Sequence, residues 1–309
     1  MILLWGIPSD PNLAAVETVL RSGGVPCLFL DQRATAQTSL TLEVDARVSG
    51  SLTVFDQTIA LERITAVYAR PYELARLGLD IGAAAHATSL HHALSVWLDV
   101  TPAFVLNRPR DMALNSSKPY QAALIEAAGL RTPETLLTTD PEAVRGFRAR
   151  HGAVVYKSIS AVRSVVARIG AADEDRIGDV VSCPTQFQRW IGGIEVRVHV
   201  IEGEDFASRI VTEADDYRYA ELSGQQVVIS TFDLPDPVAA QCRCVTNALG
   251  YVIAGLDLRC ENGVWYCFEV NPSPSFAYYE HRTGQPIAAA VARLLADAVK
   301  SRMGPDPGD

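Results

Sequence analysis

Apolar residues recur along this chain in two rhythms, every second position or every third to fourth, and the switch between them marks out the predicted elements. Ile2 to Trp5 is a short apolar run, Asn12 to Arg21 is amphipathic at helical spacing, and Val25 to Leu30 is apolar again up to Asp31. That order predicts strand, helix, strand: the opening βαβ unit of a parallel sheet. The turn Gly6-Ile7-Pro8-Ser9-Asp10 has neither the G-x-G-x-x-G pattern nor a P-loop lysine, so no nucleotide is expected there. Alternation from Leu42 to Leu61 predicts a β-meander, Ile64 to Tyr68 another parallel strand, and His86 to Val100 a helix. His91 and His92 are neighbours on that helix, about 100° apart, and are read as core or surface residues rather than a shared metal site.

A junction follows at Asn107-Arg108-Pro109-Arg110. Ser117 to Ala128 reads as a helix closed by Gly129, and Arg131 to Thr135 leads into a strand. A helix over Pro141 to Arg150 and a strand over Ala153 to Lys157 come next, and the small polar run Ser158 to Ser164 resembles a mobile flap. Strands are then predicted at Thr185 to Ile191, Ile194 to Ile201, Asp205 to Val211 and Gln226 to Thr231, with a helix from Pro237 to Leu249. A last helix, Ile287 to Arg302, precedes a Gly/Pro/Asp tail expected to be disordered. The units implied are 1–106, 107–184, 185–303 and the tail 304–309.

The sharpest chemical signal lies near the end. Gly255-Leu256-Asp257-Leu258 and Trp265-Tyr266-Cys267-Phe268-Glu269-Val270-Asn271-Pro272 flank Glu261-Asn262-Gly263, and Asn-Gly between such runs predicts a hairpin. Strand alternation places Glu269 and Asn271 on one side and Val270 on the other, with Asp257 able to join from the partner strand. Three hard oxygen donors on a rigid hairpin suit Mg²⁺ when phosphate and water complete its shell. A half-exposed hairpin would equally carry Asp257 and Glu269 as solvent-facing residues.

Two lysines add to the picture. Lys157 ends an apolar strand, where an ammonium is costly to bury unless an anion meets it, although it could also extend out to water. Lys118 follows the capping sequence Asn115-Ser116-Ser117, and a cation at a helix N-terminus makes sense if an anion docks beside it. Along Ile194 to Val200, Glu195, Arg197 and His199 share one face and the valines the other. This is either a cross-strand ion ladder or the wall of a nucleotide cleft in which Arg189 to Ile191 reads a base edge and Glu195 a ribose.

Composition narrows the class. The chain has 309 residues, 48% of them apolar and 20% charged, which is ordinary for a folded enzyme. A net charge of −9 leaves no basic stripe for nucleic acid, and no run approaches a membrane span, so neither partner is expected. The N-terminus lacks a signal-peptide pattern, which implies a cytoplasmic location. The six cysteines are read as reduced; Cys242, Cys244, Cys260 and Cys267 have no Cys-x-x-Cys spacing for zinc.

In order and spacing, Asn107-Arg108 with Lys118, Val154-Val155-Tyr156-Lys157, Gln188-Arg189-Trp190-Ile191, Glu195-Val196-Arg197, and Asp257 with Phe268-Glu269-Val270-Asn271-Pro272 resemble the ATP-grasp superfamily, over residues 107–300. The likeness is to carboxylate-amine ligases of the ribosomal-protein-S6 glutamate ligase (RimK-like) type. The resemblance implies an α/β (α+β) protein, an N-terminal βαβ parallel-sheet lobe followed by a two-lobed ATP-grasp fold. It implies ATP and Mg²⁺ as cofactors, two ions, with Mn²⁺ able to substitute. Lys118 and Lys157 match the phosphate lysines, Gln188, Arg189, Trp190 and Ile191 the adenine hinge, and Glu195 the ribose contact. Asp257, Glu269 and Asn271 match the metal ligands, and Arg197 and Arg209 the catalytic arginines. The implied reaction activates a carboxylate as an acyl phosphate and joins it to an amine or hydroxyl, on a peptide or amino acid, releasing ADP and phosphate. A macrocyclase of the same fold, a grasp-fold kinase and a non-catalytic nucleotide-binding protein are the alternatives. Ser273, Ser275, Tyr278, Tyr279, Glu280 and His281, with Asp215, Asp216, Tyr217 and Arg218, are expected to face the substrate, and the family suggests a homo-oligomer.

Overall fold

The computed structural model describes residues 1–45, 48–158, 166–214, 217–220 and 224–303. The expected flap over 159–164, Asp215 and Asp216 of the polar insertion, and the tail 304–309 lie outside them.

The first unit opens as its rhythm predicts, with β1 (Ile2–Gly6), α1 (Pro11–Ser22) and β2 (Cys27–Asp31). Asp10 caps α1 by accepting from the amides of Asn12 and Leu13. β3 (Thr38–Val44), β4 (Val48–Val54) and β5 (Gln57–Ala60) form the expected antiparallel meander. β6 (Ala66–Ala69) pairs parallel with β1. α2 (Ile81–Val100) starts five residues before its predicted onset, because Asp80 caps it through the amide of Ala83. β7 (Phe104–Leu106), too short for a periodic signal, completes a parallel sheet in the order β2-β1-β6-β7.

Across the junction stand α3 (Pro109–Met112), α4 (Lys118–Ala127), β8 (Thr135–Thr138), α5 (Pro141–His151), β9 (Val154–Ser158), β10 (Ala167–Arg168) and β11 (Thr185–Arg189). Their sheet has the order β10-β9-β11-β8, and its back packs Val154 and Phe187 on Val144 and Phe147 of α5.

The third unit contains β12 (Ile194–Ile201), β13 (Glu204–Val211), α6 (Tyr217–Ala220), β14 (Val228–Thr231), α7 (Asp236–Ala248), β15 (Ile253–Glu261) and β16 (Val264–Asn271). Its antiparallel sheet runs β14-β13-β12-β15-β16. Asn262 and Gly263 both take positive φ, 52° and 80°, the two-residue turn that Asn-Gly favours. One face of the sheet is apolar, with Val196, Val198, Leu256, Leu258, Cys267 and Val270 buried against Ile125 of α4 and Val238, Cys242 and Val245 of α7. The other face carries the chemistry.

After α8 (Ala277–Thr283), the last helix, α9 (Ile287–Met303), leaves the third unit and packs on the first. Its Ile287, Val291 and Leu295 share a core with Leu4, Leu13, Val16 and Leu20. The chain end therefore ties the first sheet to the third.

Candidate active site

Asp257 and Glu269 face each other across the β15–β16 ladder, and Gly255 pairs with Asn271 one step further along the same face. A bulge lies between Asp257 and Leu258, whose partners are Glu269 and Cys267, so Phe268 is the extra residue. The bulge explains why Cys267 and Glu269, two apart, do not share a face. Cys267 and Val270 point into the apolar core with no exposure, which leaves Glu269 and Asn271 to the chemical face.

Cations surround these acids. Lys118 Nζ, at the start of α4, lies 3.3 Å from Glu269 Oε2 and 3.2 Å from Asn115 Oδ1. Ser117 makes no side-chain capping bond, so the expected capping sequence serves instead to hold the lysine through Asn115. Burial pushes the Glu269 carboxyl up, but the charges of Lys118, Lys157 and Arg197 outweigh it and hold it below the ordinary carboxylate value. Lys157 thus acts on Glu269 from β9, a different sheet. Two carboxylates and an amide on one face leave about half of an octahedral shell open, a donor set that fits Mg²⁺ arriving with phosphate and water.

Arg197 is almost wholly buried and donates from Nη1 to Asp257 Oδ1 at 2.7 Å. Among the described residues its Nε has no hydrogen-bond partner, and neither has Nδ1 of His199, two residues on. His199 Nε2 lies 3.3 Å from the carbonyl of Ser275 and its ring meets Tyr279 edge-on at 5.0 Å. Burial and the Arg197 charge push the imidazole well below its ordinary pKa, so it is neutral. Tyr217 and Tyr279 share a 2.5 Å hydrogen bond over this pocket. Tyr279, Tyr217 and Ser275 of the expected substrate segment therefore do converge here.

Opposite, β9 and β11 put Lys157 beside Gln186 and Val155 beside Gln188, so both glutamines share the lysine's face. Gln188 is buried and donates to Thr135 Oγ1 at 3.0 Å. Arg189 is spent on the frame, with Nε 2.6 Å from Glu134 and Nη1 2.9 Å from Glu261. Trp190 lies between the guanidiniums of Arg168 and Arg259, at 3.8 and 4.4 Å from its ring centre. Arg259 also donates to the Ile191 carbonyl at 3.0 Å and to Glu195 Oε2 at 2.8 Å. Glu195 is thus half of a cross-strand ion pair, the ladder arrangement raised above.

Arg209 is not part of this constellation, and its expected catalytic role is corrected. It pairs with Val196, whose side chain lies in the helix-covered core, so it belongs to the face opposite Arg197, Asp257 and Glu269 and is exposed there. The pairing of β12 with β13 decides this, and no local signal in β13 carries it. Sequence reading also missed Gln186, Arg259 and Gln121. Gln186 had a usable signal, its alternation with Gln188; the others are defined only by long-range partners.

Three amide or guanidinium clamps position the acidic hairpin. Asn107 donates to the carbonyls of Ile253 and Pro272, at 2.7 and 2.6 Å, and accepts from the amides of Val252 and Ile253. Asn12 Oδ1 accepts from the amides of Phe276 and Ala277. Arg70 ties Asp10 to Ser273 Oγ and the Pro274 carbonyl. The first unit therefore orients the segment that leaves the candidate metal strand.

No protein-family model matches the sequence, and no curated protein does either. Solved structures do. The ATP-grasp ligase PsnB, complexed with a phosphomimetic variant of its minimal precursor, Mg and ADP, is 28% identical over 96% of this chain and 98% of its own, with a TM-score of 0.82. The macrocyclase MdnC from Microcystis aeruginosa MRC, bound with precursor peptide MdnA, is 20% identical over 96% and 99%, also at 0.82. An ATP-grasp ligase from Chryseobacterium gregarium, in complex with ADP and a leader and core peptide, is 19% identical over 96% of each chain, at 0.80.

Proposed function

We propose, from the premise that this chain belongs to the ATP-grasp superfamily, that it is an ATP- and Mg²⁺-dependent ligase which activates a carboxylate on a peptide and joins it to an amine or hydroxyl. One observation carries the reading: Asp257 and Glu269 pair on one sheet face while Lys118 and Lys157 act on Glu269 from two other elements. Acids and lysines converging from separate elements are what a polyphosphate with its counter-ions requires.

Lys118 and Lys157 hold phosphate oxygens in this reading, and the glutamine face of β11 with the Trp190–Ile191 hinge lines the nucleotide. Asp257, Glu269 and Asn271 hold Mg²⁺, which when bound offsets the charge that builds on the transferring phosphoryl group. Arg197 stands beside Asp257 with an unused Nε donor, placed to stabilise an anionic carboxylate or acyl phosphate. The neutral His199 and the paired tyrosines wall that pocket and limit water, which would hydrolyse an acyl phosphate. With no membrane-crossing helix among the described residues and its described cysteines unpaired, the chain suits a cytoplasm that supplies ATP.

The test is to incubate the protein with ATP, Mg²⁺ and peptides carrying acidic residues together with Lys, Ser or Thr. Loss of one water per new bond, with ADP release, is the expected mass-spectrometric result. A stable gain of one phosphoryl group on the peptide, with no water lost, would instead make the protein a kinase.

A further inference from the structure

We propose that Gln121 is a positioning residue of the metal strand. Its side-chain amide fixes the backbone on which Glu269 and Asn271 ride, and thereby sets the affinity for divalent cation without touching the ion. The inference rests on the ATP-grasp reading of Asp257, Glu269 and Asn271 and extends it to a residue outside the cleft.

The need for such a residue follows from the sheet. β16 is an outer strand: its only ladder is with β15, and on its outer side an isolated bridge to Arg131 at Tyr266 holds its first half, through Cys267 N–H to the Arg131 carbonyl at 2.7 Å, but stops short of Glu269. That ladder is broken by the Phe268 bulge next to Glu269, which leaves one residue unpaired and loosens the strand where its orientation matters most. Val270 sits between the two proposed ligands, opposite Leu256, with its own side chain fully buried. Its backbone N–H and C=O turn away from β15 towards α4.

Gln121 meets both groups. Its Oε1 accepts from the Val270 amide at 3.0 Å and its Nε2 donates to the Val270 carbonyl at 2.7 Å. The side chain is 1% exposed, so water does not substitute for it. A single glutamine thus reproduces both bonds of a missing neighbouring strand. The same helix presents Lys118 one turn earlier, against Glu269 itself. α4 is held in turn by Ile125, buried with Val245 of α7 and Leu249 just beyond its end. Rotation of the Val270 peptide would swing Glu269 and Asn271 out of register with Asp257, and Gln121 opposes that rotation.

The experiment measures Mn²⁺ binding by electron paramagnetic resonance in the presence of ADP, and ADP binding in EDTA, for the wild type, Gln121→Met and Gln121→Asn. Met keeps the length and volume but offers no amide, and Asn keeps the amide but falls one methylene short. Circular dichroism selects the variants that fold, and either one suffices. The expected result is Mn²⁺ binding weakened by about tenfold or more while metal-free ADP binding stays within about twofold. Unchanged Mn²⁺ affinity in a folded variant overturns the proposal, as does an equal loss of metal-free ADP binding, which marks general damage. A wild type that binds no Mn²⁺ with ADP overturns the metal reading itself, a result distinct from failure of the Gln121 variants.

Discussion

The guanidinium of Arg197 occupies the space beside Gly255 where a side chain would begin, and donates at 2.7 Å to Asp257, two residues along the same strand. A Cβ at position 255 would overlap Arg197 Nη2 and press on Pro274, so glycine is the residue that lets the buried arginine reach its acid.

Gly255→Ala should therefore displace Arg197 and act on chemistry as well as fold. Overpacking of this kind costs about 1–3 kcal/mol. The expected outcome is a folded protein with a lowered melting temperature and a kcat reduced by at least about tenfold, since a tenth of the rate corresponds to about 1.4 kcal/mol of lost transition-state stabilisation. Melting curves alongside ADP release check it; an unchanged rate would mean that Arg197 has no part in turnover.

Arg209→Ala should leave turnover within about threefold of wild type, because the residue is exposed on the face away from the acids. Lys157→Ala, on the sheet facing Glu269, should lower kcat/KM for ATP by about a hundredfold or more, as loss of an aimed charge does. Parallel steady-state assays compare the two. Equal damage from both substitutions would contradict the face assignment.

Acid should release the latch between the first unit and the substrate segment. The Asp10 carboxyl lies below its ordinary 3.8; burial opposes this, but the Arg70 charge, the Leu13 amide and the Asn12 side chain prevail. A depressed folded pKa gives a stabilisation that is complete above the unfolded value and vanishes as pH falls through the folded one. Asp10→Asn keeps the helix cap and removes the charge. The wild type should melt higher than this variant at neutral pH, and the gap should shrink and close as pH falls below the ordinary 3.8 and through the depressed folded value. A gap that survives in strong acid would rule the charge out as its source.

Asn107→Leu should be among the most destabilising single changes in the hinge between units. It strands the buried carbonyl of Ile253 and the amides that the asparagine oxygen accepts, each costing about 1–3 kcal/mol when left unsatisfied. Urea titration should show the midpoint falling markedly. A midpoint close to wild type would mean that water replaces the side chain.

Much of the architecture was legible because its signals are local. Asn262-Gly263 dictates its own turn, strand β12 alternates Glu195, Arg197 and His199 with valines, and the amphipathic spacing from Asn12 to Arg21 announces α1. The candidate ligands were legible for the same reason, since Asp257, Glu269 and Asn271 all belong to one hairpin. Arg209 was named on the resemblance alone, and nothing within its own strand says which of the two faces meets the acids. α8 was missed because its seven residues are too few for a period to show.

Local chemistry alone therefore determined the order of the longer strands and helices and the acidic hairpin, and marked the lysines as anion seekers, because backbone preference and side-chain period act over a few residues. Only the tertiary structure decided which face Arg209 takes, that the Asn107, Asn12 and Arg70 clamps and the Gln121 amide hold the hairpin, and that α9 closes on the first sheet. The face of Arg209 depends on its pairing with Val196 in the neighbouring strand, and the clamps on contacts far apart in sequence, such as Asn107 with Ile253, 146 apart, and Asn12 with Ala277, 265 apart. Their partners come into reach only once the apolar faces have packed.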